Sequence, residues 1–162
     1  MDKYTRESKE SKRAELVELT TVCLIKDEKN NKYLLQNRVK KDWFGYAIPG
    51  GHVEPSESIT LSVIREMKEE TGLDIRNPKF KGVKQFKTGF GRYMVFIYKT
   101  TEFSGELKSS DEGAVEWVDK DKVGELYTVP NLDRIIEIAE SSDAHELYYV
   151  EDSPDNWRPI II

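Results

Sequence analysis

Residues 51–73 read GHVEPSESITLSVIREMKEETGL and place Glu66, Glu69 and Glu70 at i, i+3 and i+4. Residues three and four apart are neighbours on a helix surface, so a helix here crowds three carboxylates onto one face. Like charges at that spacing repel, and the helix gains no stability from grouping them. The pattern therefore predicts a cation between them. A cluster of carboxylates alone is a hard oxygen donor set, suited to Mg²⁺ or Mn²⁺ rather than zinc. The start signals are Pro55, Ser56, Glu57 and Ser58, and Gly72 follows where a helix-ending glycine belongs, which predicts a helix over 58–71. Val63, Ile64 and Met67 lie to one side of the carboxylate face and are expected in the core.

On either side of this helix the chain reads as strands. Residues 16–25 (LVELTTVCLI) are rich in β-branched side chains, 27–31 form a turn, and 33–37 return, which predicts a hairpin. Residues 38–42 (RVKKD) read as a basic loop, and 43–49 lead into Gly50-Gly51, where the backbone can approach a ligand closely. Residues 80–87 and 93–101 are expected to form a second hairpin turned at Gly89-Phe90-Gly91. A polar loop at 109–113 precedes a short strand at 114–118 and a brief helix at 119–126. Leu132, Ile135, Ile136 and Ala139 then fall at helical spacing within 131–141. These elements predict an α/β protein with a mixed β-sheet between helices. Its parts are a loose arm (1–13), one domain (14–143), and an apolar tail (144–162) that packs on the domain or on a partner.

With 162 residues and a net charge of −5, the chain fits one domain that broad attraction to nucleic acid polymers or anionic membranes does not suit. The first residues lack the apolar core of a signal peptide, and no apolar run is long enough for a membrane span. The expected location is cytoplasmic. A lone cysteine, Cys23, can form no internal disulfide and sits in an apolar run, so a buried inert thiol is expected.

The spacing of Gly51, Glu57 and Arg65-Glu66-Met67-x-Glu69-Glu70-x-Gly72-Leu73 resembles the signature of the Nudix hydrolases at every defined position. That resemblance implies an α/β/α sandwich. It also implies hydrolysis of a nucleoside diphosphate linked to a further group, with Mg²⁺ (or Mn²⁺) as cofactor and a small nucleotide as partner. By the same match Glu66, Glu69 and Glu70 hold metal, with Glu70 the firmest ligand and the carbonyl of Gly50 beside them. Glu66 or Glu69 serves as base, and Arg65 orients a carboxylate with Glu57 as its own partner. A late-loop acid is expected to join them: Glu112, with Glu116 as the alternative. An Arg at the end of the second strand contacts phosphate in such proteins, and Arg38 matches it.

A weaker likeness to the MutT-like branch, which acts on 8-oxo-dGTP, implies a purine nucleoside triphosphate cleaved to monophosphate and pyrophosphate. In that branch an Asn before the last helix reads the purine, and Asn131 stands there, while Phe90, Tyr93 or Tyr46 could stack on a base. ADP-ribose hydrolases usually carry a Pro after the motif, and residues 79–129 hold none. The dinucleoside polyphosphate branch favours a Tyr where Gly89-Phe90 stands. A catalytically silent nucleotide-sensing module is the alternative of another class. Tyr148, Tyr149, Trp157 and residues 160–162 lead to the further expectation of a homodimer joined through the tail.

Overall fold

The structure is a computed structural model and describes residues 14–154 and 156–162. The arm expected over 1–13 lies outside the described residues. The chain runs β1 (Leu16–Asp27), β2 (Lys32–Lys40), β3 (Trp43–Ala47), β4 (Gly50–His52), α1 (Ile59–Thr71), β5 (Asp74–Arg76), β6 (Lys79–Lys87) and β7 (Gly91–Thr100). It continues as β8 (Glu102–Ser104), β9 (Gly113–Asp119), a 3₁₀ turn (Lys120–Glu125), α2 (Leu132–Glu140), β10 (Glu146–Ser153) and β11 (Asn156–Ile161). Nine strands form one mixed sheet along the path β11-β10-β6-β7-β1-β2-β3, with β4 on β1 and β9 on β2; β5 and β8 pair separately.

Alternation along β1 builds the two sides of the sheet. Cys23 and Ile25 point to one face and pack with Val63 and Met67 of α1. Leu24 points to the other and packs with Leu132, Ile135 and Ile138 of α2. The result is the expected three-layer α/β/α sandwich. Val63 and Met67 are fully buried and Ile64 packs beside them, so the apolar stripe of α1 is core. Gly72 closes α1 at φ 77, a left-handed turn that a glycine adopts without the Cβ penalty. Ser58 occupies the N-cap position, but its hydroxyl makes no capping bond.

The first expected hairpin is corrected. β1 and β2 pair only at Lys26↔Tyr33 and Asp27↔Lys32, next to their turn. Beyond that they part. β1 runs parallel to β7 from Leu16↔Gly91 to Ile25↔Thr100, while β2 pairs with β3 and β9. Residues 38–40, read as loop, are therefore strand, with Arg38↔Gly45 and Lys40↔Trp43 in register. The parting opens a cleft between Thr20–Val22 on one wall and Arg38–Lys40 on the other.

Residues 144–162 extend the sheet. β10 lies parallel to β6 through Leu147↔Lys84, and β11 folds back antiparallel on β10. Leu147 is fully buried in the α2-side core. Among the described residues no helix is long and apolar enough to cross a membrane.

Candidate active site

One cavity of about 740 Å³ occupies the cleft. Glu66, Glu69 and Glu70 of α1 line it with Arg65, Gly50 and Gly51. Arg38 and Glu112 also line it. Its volume is in the range of small-molecule sites, roughly 300–1,000 Å³.

The two glycines are a packing requirement. A Cβ on Gly51 would stand 2.2 Å from a Glu66 carboxylate oxygen, and one on Gly50 would stand 1.9 Å from the Thr21 carbonyl oxygen. Gly50 thus lets β4 lie against β1, where Gly50 pairs with Val22, and Gly51 leaves the space that the Glu66 carboxylate fills. Glu66 is buried. Burial raises its pKa, Glu69 and Glu70 add to the rise, and Arg65 opposes it.

Arg65 holds the acidic cluster together. Its Nε and Nη2 donate to the two oxygens of Glu57, each at 2.9 Å, a bidentate pair. Its Nη1 donates to Glu66 at 2.8 Å and to Glu69 at 2.9 Å, and Nη2 reaches the His52 carbonyl at 3.0 Å. The hydrogen bonds from Arg65 pull the Glu57 carboxyl down to about 2, and the same pairing raises the guanidinium. Glu70 is held separately: Gln36 Nε2 donates to it at 2.9 Å, and the Ser110 hydroxyl donates to the same oxygen. Gln36 is fully buried in β2. A polar side chain directly after the apolar run Tyr33-Leu34-Leu35 of the same strand is the signal for it, because a buried amide requires partners. Ser110 gave no such signal.

On the opposite wall Glu112 sits between two cations, with Arg38 Nη1 at 2.8 Å and Lys40 also bonded to it. Burial works to raise the Glu112 carboxyl, but Lys40 and Arg38 outweigh it and hold it low. The Arg38 Nε is buried with no hydrogen-bond partner among the described residues. Glu116, the alternative acid, accepts from the Tyr46 hydroxyl.

Two sequence expectations fall elsewhere. Phe90 is corrected as a stacking ring: it stands exposed at the β6–β7 turn and does not line the cavity. The hairpin carries its tip out to solvent, while Phe86 and Tyr93, paired across β6 and β7, present their rings to the cavity wall. Asn131 precedes α2 at φ 62 and makes no capping bond. Its Nδ2 donates to the Tyr149 hydroxyl at 2.9 Å, and its neighbours Val129 and Leu132 line the cavity rather than Asn131 itself.

Among the described residues no group of three or more His, Cys, Asp or Glu side chains is gathered closely enough to hold an ion. Arg65 supplies the positive charge between Glu66 and Glu69 instead. The donors nonetheless fit a hard divalent cation, because Glu66, Glu69 and Glu70 on the α1 face offer carboxylate oxygens and the Gly51 gap seats the Glu66 carboxylate against the Gly50-Gly51 turn.

The NUDIX domain profile matches residues 17–137. A Bacillus subtilis (strain 168) protein named as an uncharacterized Nudix hydrolase, YvcI, is 33% identical over 123 residues, covering 72% of this chain and 75% of its own length. The ADP-ribose pyrophosphatase of Methanocaldococcus jannaschii is 32% identical over 111 residues, 67% of this chain and 61% of that protein. A crystal structure of a MutT protein from Bacillus halodurans superposes with a TM-score of 0.69 at 30% identity, covering 88% of this chain and 97% of the other.

Proposed function

The chain belongs to the Nudix hydrolase family, and on that premise we propose that it hydrolyses a purine nucleoside triphosphate, such as an oxidised nucleotide of the 8-oxo-dGTP kind, to monophosphate and pyrophosphate. As a Nudix hydrolase it acts on nucleoside diphosphate derivatives. One observation carries the finer reading: a single cavity joins the carboxylate face of α1, the cations Arg38 and Lys40, and an aromatic end with Trp43, Phe86 and Tyr93. Those three regions match the acidic, phosphate and base requirements of a nucleotide.

Water adds to a phosphorus of the anhydride, the bond from that phosphorus to the bridging oxygen breaks so that monophosphate and pyrophosphate separate, and the proton of the water goes to a carboxylate. Glu66 or Glu69 receives that proton, and Arg65, bonded to both, fixes their orientation. Glu70, Glu66, Glu69 and the Gly50 carbonyl would hold Mg²⁺, or Mn²⁺ in its place, with Glu112 joining from the facing wall. The bound ion offsets negative charge on the phosphoryl oxygens. Arg38 presents a buried, unpartnered Nε, a donor that a phosphate oxygen would satisfy. Gln36 and Ser110 restrain Glu70, so the carboxylate is oriented before substrate arrives.

A panel of purine and pyrimidine nucleoside triphosphates, 8-oxo-dGTP and ADP-ribose, assayed with Mg²⁺ for the phosphate products, tests this reading. Purine triphosphates should be turned over to monophosphate and pyrophosphate, and Glu70→Gln should abolish it. Turnover confined to ADP-ribose, the substrate class in the name of the M. jannaschii relative, would replace the triphosphate reading. Nucleotide binding without hydrolysis of any member would identify a silent sensing module.

A further inference from the structure

Lys84 is a buried cation without a carboxylate partner among the described residues. It lies in the middle of β6, is 5% exposed, and lines the cavity. Among the described residues no acid stands within ion-pair distance of its ammonium, and burial alone pushes its pKa down. Three rings surround it instead: Trp43 at 5.8 Å, Phe86 at 5.6 Å and Tyr149 at 5.7 Å from Nζ to the ring centres. Such faces soften the cost of burying the charge but leave its three donors without acceptors.

The position of Lys84 is fixed by register. Lys84 pairs with Val95, Val95 with Thr20, and Thr20 with His52, and these four residues line the cavity in a row across β6, β7, β1 and β4. His52 is next to Gly51 and its carbonyl accepts from Arg65, so the acidic cluster ends this row. Three strand spacings, about 14 Å, separate the backbones of Lys84 and His52. A sugar and a purine ring span such a gap between a phosphate at the acidic end and the far edge of the base. The walls near Lys84 are rings and the aliphatic side chains of Val129, Leu132 and Ile135, which suit a flat base and not a second phosphate.

We propose that Lys84 determines base specificity, donating to a carbonyl oxygen on the edge of a 6-oxopurine and rejecting a 6-aminopurine. The inference rests on the nucleotide reading given above. An ammonium only donates; the O6 of guanine, retained in 8-oxoguanine, is an acceptor, whereas the 6-amino group of adenine is a donor and would face it donor to donor. The Asn131 bond to Tyr149 holds one of the three rings and so acts on Lys84 from behind.

The test compares kcat/KM for dGTP, dITP and dATP in the wild type, Lys84→Met and Lys84→Gln, with thermal melts of all three proteins. dITP retains the 6-oxo group and lacks the 2-amino group of guanine, so it isolates the contact. The wild type should favour dGTP and dITP over dATP by about tenfold or more, the scale of one good base-edge contact. Lys84→Met should remove that preference by lowering dGTP and dITP while dATP is unchanged or improved, and Lys84→Gln, which keeps a donor, should retain part of it. An unchanged dITP-to-dATP ratio in Lys84→Met overturns the proposal. An equal fall for all three nucleotides also overturns it and assigns Lys84 to phosphate or to structure. If the wild type cleaves no triphosphate, the functional reading fails by itself. Calorimetric binding of GMP and AMP to wild type and Lys84→Met then decides the specificity claim, and equal discrimination in the two proteins refutes it.

Discussion

Alanine at Gly51 and at Gly50 should fail in different ways, although the residues are adjacent. At Gly51 the three atoms nearest the added Cβ all belong to the Glu66 carboxylate, its oxygens at 2.2 and 2.6 Å and its carbon at 2.3 Å. The end of a glutamate side chain can retreat. To reach even 3.0 Å, the tightest spacing Cβ atoms normally show, the nearest oxygen must move by 0.8 Å (3.0 − 2.2). The carboxylate moves as a unit, so its other oxygen, which accepts the 2.8 Å bond from Arg65 Nη1 and itself lies 2.6 Å from the added Cβ, is displaced with it and the group is pulled off the active-site face. A misplacement near 1 Å can cost about 100-fold in rate, so Gly51→Ala should lose about two orders of magnitude in kcat. Its folding stability should fall by less than about 1 kcal/mol, since the nearest obstacle is the end of a flexible side chain.

At Gly50 the Cβ meets the Thr21 carbonyl oxygen at 1.9 Å and the Val22 Cα at 2.8 Å. Those atoms belong to β1, which is held on its other side by β7, and they cannot withdraw without breaking the β1–β4 pairing. Overpacking against fixed backbone costs about 1–3 kcal/mol or more, so Gly50→Ala should be the unstable variant. Urea unfolding followed by tryptophan fluorescence gives the stabilities, and product release from the best substrate of the panel gives the rates. Full kcat in Gly51→Ala would refute the placement of Glu66 in the reaction. Equal instability of the two variants would refute the claim that the yielding Glu66 carboxylate is the main obstacle at Gly51.

Arg65→Lys should also be a rate variant, falling about 100-fold in kcat with little change in its urea midpoint, because one ammonium cannot replace the bidentate grip on Glu57 and the bonds to Glu66 and Glu69. Glu140 bears on stability and pH. Burial works against its charge, but Lys99 at 2.8 Å and the Tyr33 hydroxyl at 2.8 Å outweigh that and bring its carboxyl to about 2. A folded value below the unfolded one stabilises above pH 4.5 and ceases to do so as pH falls toward 2. The shift amounts to about 3 kcal/mol at most and to about 1–2 kcal/mol after solvent screening, so Glu140→Gln should cost about 1–2 kcal/mol at pH 7 in urea melts, and the difference from wild type should narrow below pH 4.5. Cys23 is fully buried and its thiol is pushed up to about 12, so a thiol reagent at pH 8 should label it only as fast as the protein unfolds; labelling within seconds in the native state would contradict that burial.

What could be read from the chain and what could not separate along the range of the interactions involved. The α1 helix, its apolar stripe and its Gly72 end follow from neighbours within about one turn, and those are visible in residues 58–72 directly. The acidic face needed no tertiary knowledge either, since three like charges at helical spacing demand compensation. Strand pairing is a different kind of information. Nothing within residues 16–40 says that β1 leaves β2 to lie parallel to β7, yet that parting opens the cleft and makes Arg38 and Lys40 one of its walls. Phe90 sits between two turn glycines at the hairpin tip while Phe86 lies within β6 opposite Tyr93, and it is the strand position that carries a ring to the cavity. Lys84 is the sharpest case. In Lys79–Lys87 it is one of four lysines, it is followed by the polar Gln85, and its residue type marks it as surface. It is buried because β10, more than sixty residues later in the chain, closes over the outer edge of β6 with Leu147 and Tyr149. The burial of that lysine, and with it the chemistry of the base end, is thus set by the last strands of the chain. A truncation that removes β10 and β11 should accordingly abolish nucleotide discrimination before it abolishes the acidic site.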